Sequence, residues 1–103
     1  LLPDDVFFDL NSKILTIIEK KFQNVEGSVY EKIQTCDFKI KQYRKLFAEQ
    51  KITIQYYYLL NDWFRQAKFK DIFTYIRDSG CDYYFNEIPI DKLIINQLQS
   101  KIQ

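Results

Sequence analysis

Residues 66–90 constrain the fold most, because a helical pattern there runs directly into an alternating aromatic segment. Apolar residues recur at three- and four-residue spacing, which places them on one side of a helix. They are Phe69, Ile72, Phe73 and Ile76. Gly80 follows where a helix usually stops, since glycine adopts the left-handed conformation at low cost. The pattern therefore predicts a helix over about 66–78 with one buried side.

The segment after this helix predicts a short hairpin. Residues 81–86 alternate between apolar or aromatic and more polar side chains, as a half-buried strand does. Asn86 and Glu87 are expected to form the turn, and residues 88–90 the return strand. Pro89 fits that strand only at the edge of a sheet, because proline cannot donate to the ladder.

The N-terminal part of the chain has the spacing of a long helix over about residues 5–22. Its main apolar stripe consists of Phe7, Leu10, Ile14, Ile17 and Ile18. A second line, formed by Phe8, Leu15 and Phe22, recurs every seven residues and lies about 100° around the same helix. This second line is either covered by the rest of the domain or contacts a partner protein.

The remaining segments complete an order of elements. Residues 23–34 are expected to form a loop with a short strand around Val29 and Ile33. A helix follows from residue 36 or 37 to about 50, and then a short strand at 52–54. Thr53 can cap a further helix that carries Tyr57, Tyr58 and Phe64. A last helix is expected over about 91–102, where isoleucine and leucine keep a four-residue spacing.

Length and charge set the broad class of the protein. The 103 residues correspond to one domain, and a chain of this size buries roughly 60–70% of its extended surface. Fifteen Lys and Arg residues face 14 Asp and Glu residues, for a net charge of +1, so any binding of nucleic acid must be local. The sequence contains neither a membrane span nor a signal-peptide pattern, which predicts a soluble intracellular domain.

The sequence excludes most sites with chemistry of their own. It has no histidine, two isolated cysteines and two distant glycines, which argues against zinc sites, histidine-based catalysis and glycine-rich phosphate loops. Cys36 and Cys81 are expected to be reduced and packed, although a single disulfide stays possible. Asp4 and Asp5 are interpreted as residues of a first helical turn. The sequence therefore predicts no enzyme, no metal and no cofactor.

Taken together, the elements predict an α+β, mostly helical fold: a winged helix-turn-helix with N- and C-terminal helical extensions. It would form a single domain over 1–103, with its core at about 37–90. In a DNA-binding member of this class, the helix over 66–78 would enter the major groove. Asp71 and Asp78 lie on the face that would do so, and two carboxylates beside phosphates weaken binding.

Two sets of binding residues follow from this fold. The candidates for contact with a protein partner are Phe8, Leu15, Phe22, Asp71, Tyr75, Asp78 and Tyr84. The candidates for contact with a nucleic-acid backbone are Lys68, Lys70 and Arg77, beside which Tyr84 could stack on a base. The alternative for the basic set is an ordinary solvated helix flank.

Several segments resemble one known family. They are Ile52-Thr53-Ile54-Gln55, Phe69-Lys70-Asp71-Ile72-Phe73 with Ile76, Asp78-Ser79-Gly80 and Tyr83-Tyr84-Phe85. In spacing more than in identity, they are similar to the C-terminal winged helix of the middle subunit of replication protein A. The resemblance covers about half of the chain, 37–90. The richness in Ile, Lys, Tyr and Asn resembles a ciliate protein and favours the corresponding subunit of a CST telomere complex, as found with ciliate telomerase.

The resemblance implies a function and a location. The domain would be a non-catalytic protein interaction module in the nucleus, at the chromosome telomere. It would dock replication or telomerase subunits onto a complex bound to single-stranded DNA, without a small-molecule substrate or a membrane. The alternative is a winged-helix domain that contacts duplex or single-stranded DNA through its third core helix and wing. A winged helix from an unrelated transcription or sorting assembly is a third possibility.

Overall fold

Strands dominate the N-terminal half of the described chain. The computed structural model describes residues 4–22, 33 and 35–89. Its elements are β1 (Asp5–Asp9), β2 (Ile14–Lys21), α1 (Cys36–Leu46), β3 (Thr53–Leu60), α2 (Lys70–Asp78) and β4 (Asp82–Phe85). Two short 3-10 turns, Asp62–Arg65 and Ala67–Phe69, connect β3 to α2.

The four strands form one mixed sheet in the order β1-β2-β3-β4. β1 and β2 are an antiparallel hairpin in which Asp5 pairs with Ile18 and Asp9 with Ile14. β3 runs parallel to β2, and β4 runs parallel to β3. Parallel neighbours need crossover connections, and α1 and α2 lie in the two crossovers.

The hairpin turn between β1 and β2 is fixed by polar side chains. The Asp9 carboxylate accepts the backbone N–H of Ser12 at 3.0 Å, and the Lys13 N–H donates to the Asp9 carbonyl at 2.8 Å. Lys13 itself has a φ of 57°, the left-handed conformation that such turns require. β-Branched residues are frequent in β2, and they favour the pleated surface of a sheet.

A single apolar cluster joins both helices to one face of the sheet. Alternate residues of β2 and β3 contribute Leu15, Ile17, Ile54, Tyr56, Tyr58 and Leu60. The helices contribute Cys36, Ile40 and Tyr43 from α1 and Ile72 and Ile76 from α2. Phe64 and Phe69, from the 3-10 turns, are fully buried in the same cluster. The helices therefore cover the face toward which the odd residues of β2 and the even residues of β3 point.

On the opposite face of the sheet, Thr16, Ile18 and Tyr57 are also buried. Tyr57 contacts the ring of Tyr84 edge-on, with 5.3 Å between the ring centroids. Within the described part of the chain, no helix is long and apolar enough to cross a bilayer.

The prediction of a mostly helical winged helix-turn-helix is wrong. The fold is α+β, but its centre is a four-stranded sheet, and only two α-helices have their bounds within the described residues. The predicted helix over 5–22 is the β1–β2 hairpin, because its apolar residues fill both faces of two strands. The predicted helix around Tyr57 and Tyr58 is β3.

The predicted wing is also wrong, although its first strand exists. β4 corresponds to the alternating segment, but it pairs with β3 in parallel, and residues 87–89 form no return strand. The helices α1 and α2 are confirmed, and Gly80 has the expected left-handed φ of 90°. The predicted helix over 91–102 and most of the predicted loop over 23–34 lie outside the described residues.

Candidate functional site

A charged cluster lies beside the apolar layer, near the carboxyl end of β2. The Lys39 ammonium donates to both oxygens of the Glu19 carboxylate, at 2.9 and 3.1 Å. The Lys21 ammonium lies 3.1 Å from the same carboxylate. The Tyr56 hydroxyl donates a further hydrogen bond to the same carboxylate. The Glu19 side chain is only 14% exposed. A carboxylate is thus held in a partly desolvated position by two cations and one hydroxyl.

Strand alternation explains why Glu19 is held there. Glu19 follows Ile17 on the same face of β2, and it pairs in register with Tyr58 of the neighbouring strand. Lys39 reaches it from the first turn of α1. The ring centroids of Tyr56 and Tyr58 lie 5.6 Å apart, and both residues lie on the same face of the sheet as Glu19. Three elements, β2, β3 and α1, therefore position one acidic group.

These contacts shift ionisation in opposite directions. Burial by itself raises the pKa of Glu19, but the hydrogen bonds from Tyr56, Lys39 and Lys21 outweigh it and hold the pKa below its ordinary value. Burial, reinforced by the Glu19 charge, raises the pKa of Tyr56 far above that of a free tyrosine. At neutral pH the Glu19 side chain is a carboxylate and Tyr56 stays a hydrogen-bond donor.

The lowered pKa of Glu19 predicts a pH-dependent stability. A carboxyl group with a lowered folded-state pKa stabilises the fold above its unfolded value, near 4.5, and this contribution is lost as the pH falls through the folded-state pKa. We therefore expect the free energy of unfolding to decrease in acid more steeply for the unmodified chain than for Glu19→Gln. Urea titrations from pH 7 downward measure this difference, and equal slopes would contradict it.

A second carboxylate lies at the same end of β2. The Asp4 side chain accepts the backbone N–H of Lys20 at 2.7 Å, and the Asp5 carboxylate lies 3.2 Å from the Lys20 ammonium. Asp5 pairs with Ile18, so one further step of the antiparallel register brings Asp4 opposite Glu19. The hairpin therefore brings together two acidic residues that are fifteen positions apart in the sequence.

The arrangement limits the kinds of metal site that these residues can form. In the described part of the chain, no three residues among His, Cys, Asp and Glu lie together as a metal-binding group. A closed structural site of the zinc type is therefore not formed there. Magnesium needs less from the protein, because it keeps several waters and is often held by one or two carboxylates together with substrate phosphates. The register places Asp4 and Glu19 at the same end of the hairpin. The Lys20 N–H contacts the Asp4 carboxylate, and Lys39, Lys21 and Tyr56 contact the Glu19 carboxylate.

The predicted protein-binding line on the N-terminal segment does not exist as one surface. Leu15 is buried in the apolar cluster, whereas Phe8 and Phe22 are exposed. The prediction placed all three residues on one side of a helix. In the hairpin, Phe8 lies on β1, Leu15 lies opposite it on β2, and Phe22 follows the end of β2. The correction follows directly from the change of secondary structure.

The candidates on α2 lie near one another but not on a recognition helix. Asp71 and Asp78 are exposed and Tyr75 is half-buried, while Tyr84 lies on β4 facing away from the helices. Because α2 is the crossover between two parallel strands, its buried side is committed to the sheet.

The basic candidates divide between two places. Lys68 lies over the rings of Trp63 and Phe69, at 5.6 and 5.3 Å from their centroids. Lys70 and Arg77 border a shallow depression of about 310 Å³ on the outer side of α2 and β4. Arg77 lies 4.7 Å from the centre of the Tyr83 ring. Lys70 and Arg77 thus share one depression, and Lys68 lies over the aromatic rings that precede α2.

Sequence reasoning missed Glu19, Lys21, Lys39 and Tyr56. The available signal was an acidic residue two positions before a lysine, Glu19 and Lys21, at the end of an apolar run preceded by Asp4. In a helix, residues 4 and 19 would be about 22 Å apart, at 1.5 Å per residue. Only a hairpin makes them neighbours, so the wrong secondary structure hid the cluster.

Comparisons with protein-family models, with curated proteins and with solved structures found no match for this chain, so its function is inferred from the residues themselves.

Proposed function

We propose that the end of the β1–β2 hairpin is a divalent-cation-dependent site that hydrolyses phosphodiester bonds of a nucleic acid. The observation that supports it most is the partly desolvated Glu19 carboxylate, which is held beside the Lys21 ammonium and lies opposite Asp4, one register step beyond the Asp5–Ile18 pair. The site lies near the carboxyl ends of the parallel strands β2 and β3, where open α/β sheets commonly place their ligands.

In this proposal the two carboxylates have the same task. Asp4 and Glu19 would hold a magnesium ion, which would neutralise charge at the phosphate and make a bound water a better nucleophile. Hydrolysis then adds the water oxygen to phosphorus and breaks one P–O bond, and the leaving oxygen takes up a proton.

The lysines and the tyrosine support this task in different ways. The Lys21 ammonium, 3.1 Å from the Glu19 carboxylate, offers positive charge where negative charge builds up on the phosphate. Lys39, which contacts both oxygens of the Glu19 carboxylate, and the Tyr56 hydroxyl would fix this carboxylate, as outer partners fix the ligands of metal sites. Because the pKa of Tyr56 is raised, its hydroxyl keeps donating to the carboxylate.

The charges at this end of β2 are balanced. Lys20, Lys21 and Lys39 lie within 3.2 Å of the Asp5 or Glu19 carboxylates. In this proposal the bound divalent cation, and not an excess of lysines, would therefore supply the positive charge that attracts a phosphate.

The test is a cleavage assay with end-labelled substrates. Single-stranded DNA, duplex DNA and RNA are incubated with the chain in Mg²⁺, in Mn²⁺ and in EDTA. We expect Mg²⁺- or Mn²⁺-dependent cleavage that EDTA abolishes and that Asp71→Asn, a matched charge change on the exposed side of α2, leaves unchanged. The absence of cleavage of all three substrates with either metal would overturn the proposal.

This proposal departs from the expectation of a non-catalytic module. That expectation rested on the absence of histidine, of paired cysteines and of a glycine-rich loop, none of which a site built on carboxylates requires. The telomere complex, its protein partners and the nuclear location stay predictions that depended on the winged-helix resemblance. Since the fold is built on a four-stranded sheet and is not a winged helix, these predictions do not enter the proposed function.

A further inference from the structure

The only two cysteines of the chain lie side by side in the apolar cluster. Cys36 is the first residue of α1, and Cys81 immediately precedes β4. Both thiols are free and buried, with 0 and 6% of the residue exposed. The Cys81 thiol donates to the Cys36 carbonyl oxygen, 3.8 Å from its Sγ. The fold thus brings together two thiols that are 45 positions apart in the sequence.

The two thiols also contact each other, since their side chains are within hydrogen-bond distance. Cysteine often fills space in a core as a small apolar side chain, and that role needs no second sulfur nearby. Two thiols in contact can in addition be joined by a disulfide when their backbones are close. Here the sulfur of one residue already touches the main chain of the other.

The packing around Gly80 holds the two thiols together. Gly80 has a φ of 90°, and the Cys81 N–H that follows it donates to the Ile76 carbonyl at 3.0 Å. A Cβ at residue 80 would lie 3.2 Å from the Arg44 guanidinium and 3.9 Å from the Ile40 side chain. The connection from α2 to β4 is therefore packed directly against α1, and the thiol pair lies at this contact.

The surroundings of the two thiols make Cys36 the more reactive one. Hydrogen bonds, first from Cys81 and then from Ser79 and Tyr75, lower the pKa of the Cys36 thiol although burial opposes the shift. A position at the start of a helix acts in the same direction. The hydrogen bond with Cys36, together with burial, raises the pKa of Cys81. Because the thiolate is the nucleophile, Cys36 is the sulfur that reacts first.

We infer that Cys36 and Cys81 form an oxidation site, at which hydrogen peroxide converts the thiol pair into a disulfide between α1 and the start of β4. The Cys36 sulfur attacks one peroxide oxygen, the O–O bond breaks, and the departing hydroxide takes up the proton that Cys36 released. The Cys81 sulfur then displaces the hydroxyl group of the sulfenic acid, which leaves as water with the Cys81 proton. The two thiols lose two electrons and the peroxide gains them. The inference does not rest on the proposed cleavage activity.

Mass spectrometry of the peroxide-treated chain tests this inference. The reduced protein is exposed to hydrogen peroxide, then unfolded and alkylated, so that every remaining thiol is labelled. We expect a chain without alkyl groups that has lost the mass of two hydrogen atoms. In Cys81→Ser, which lacks the second thiol, Cys36 should accumulate as a sulfenic acid that dimedone captures once the chain is unfolded. In the matched variant Cys36→Ser, Cys81 should stay reduced and be alkylated.

The disulfide should also stabilise the fold, because it would close a loop of 45 positions in the unfolded chain. We expect the melting temperature to rise by about 10 °C or more on oxidation. Dithiothreitol should reverse the rise. Circular dichroism of the two serine variants shows whether they are folded before treatment, and the test on the unmodified chain does not depend on them.

Three results would overturn the inference. Two alkyl groups on the treated chain, under conditions that oxidise free glutathione, would show that the buried thiols do not react as a pair. Disulfide-linked dimers on a non-reducing gel would place the bridge between copies of the chain. A lower melting temperature of the oxidised monomer would show that the folded geometry does not accommodate the bridge.

Discussion

Replacing Glu19 by glutamine is expected to lower the rate of metal-dependent cleavage by about 10²-fold or more, because the variant lacks the charge that would hold the ion. Glutamine keeps the size of the side chain and can still accept hydrogen bonds from Lys39 and Tyr56, whose contacts position the carboxylate. The fold should therefore persist, with a loss of stability of roughly 1–3 kcal/mol from weaker hydrogen bonds to a formerly charged group.

Metal binding separates a catalytic role of Glu19 from a structural one. Mn²⁺ broadens the amide resonances of nearby residues, and in the unmodified chain we expect broadening centred on residues 4 and 19–21. Glu19→Gln should reduce this broadening, and Asp71→Asn should leave it unchanged. Cleavage by Glu19→Gln at the rate of the unmodified chain would refute the role assigned to Glu19. Unchanged Mn²⁺ broadening in Glu19→Gln would refute the ion site itself.

Truncation of Ile17 to alanine is expected to destabilise the domain by about 2–5 kcal/mol, since the side chain is fully buried and leaves a cavity. Phe7→Ala should cost about 1 kcal/mol or less, because half of that side chain is in solvent. If the segment were a helix, Phe7 and Ile17 would lie in one apolar stripe, and their truncation would cost similar amounts of stability. Only the hairpin predicts a large difference between the two losses.

Denaturant unfolding of both variants measures the difference in the midpoint at constant slope. A loss for Phe7→Ala as large as that for Ile17→Ala would contradict the hairpin. A matched control is Phe38→Ala, because Phe38 is an exposed phenylalanine on α1 and should behave like Phe7.

The helices α1 and α2 were predictable because the spacing of their apolar residues fits a helix and does not fit a strand. Ile72 and Ile76 of α2, together with Phe69 just before it, fit a period of 3.6 and no strand, and Gly80 marks the end of the helix. The buried residues of α1, among them Ile40 and Tyr43, do the same. In both helices the opposite side is charged, which leaves no second buried face to explain.

The hairpin was not predictable from period alone. The apolar residues of 6–18 are so frequent that they match helical spacing and strand spacing equally well. The decisive signals were chemical: Asp9, Asn11 and Ser12 form a polar turn in the middle of the run, and the run is rich in β-branched residues. A helix would have had to continue through that turn.

The strand β3 was predicted as a helix for a related reason. Its sequence, from Ile54 through three successive tyrosines to Leu60, is apolar on both faces, as is typical of an inner parallel strand. Such a run shows no alternation, so its aromatic and β-branched composition is the only guide. Without β3, β2 lacks its parallel neighbour, and the contact of Glu19 with Tyr56 cannot be anticipated.

The mixed order of the sheet also governs how the domain forms. β1 and β2 are joined by a tight turn, and an isolated hairpin of this kind closes in about 1–10 μs. The parallel pair is non-local, since Ile14 of β2 meets Thr53 of β3, 39 positions later in the chain (53 − 14 = 39). Pairings of that range slow folding, because loop-closure entropy is lost before contacts compensate for it. A nascent chain would therefore complete its N-terminal ribbon early, and the surroundings of Glu19 would form only after β3 has been synthesised and has docked.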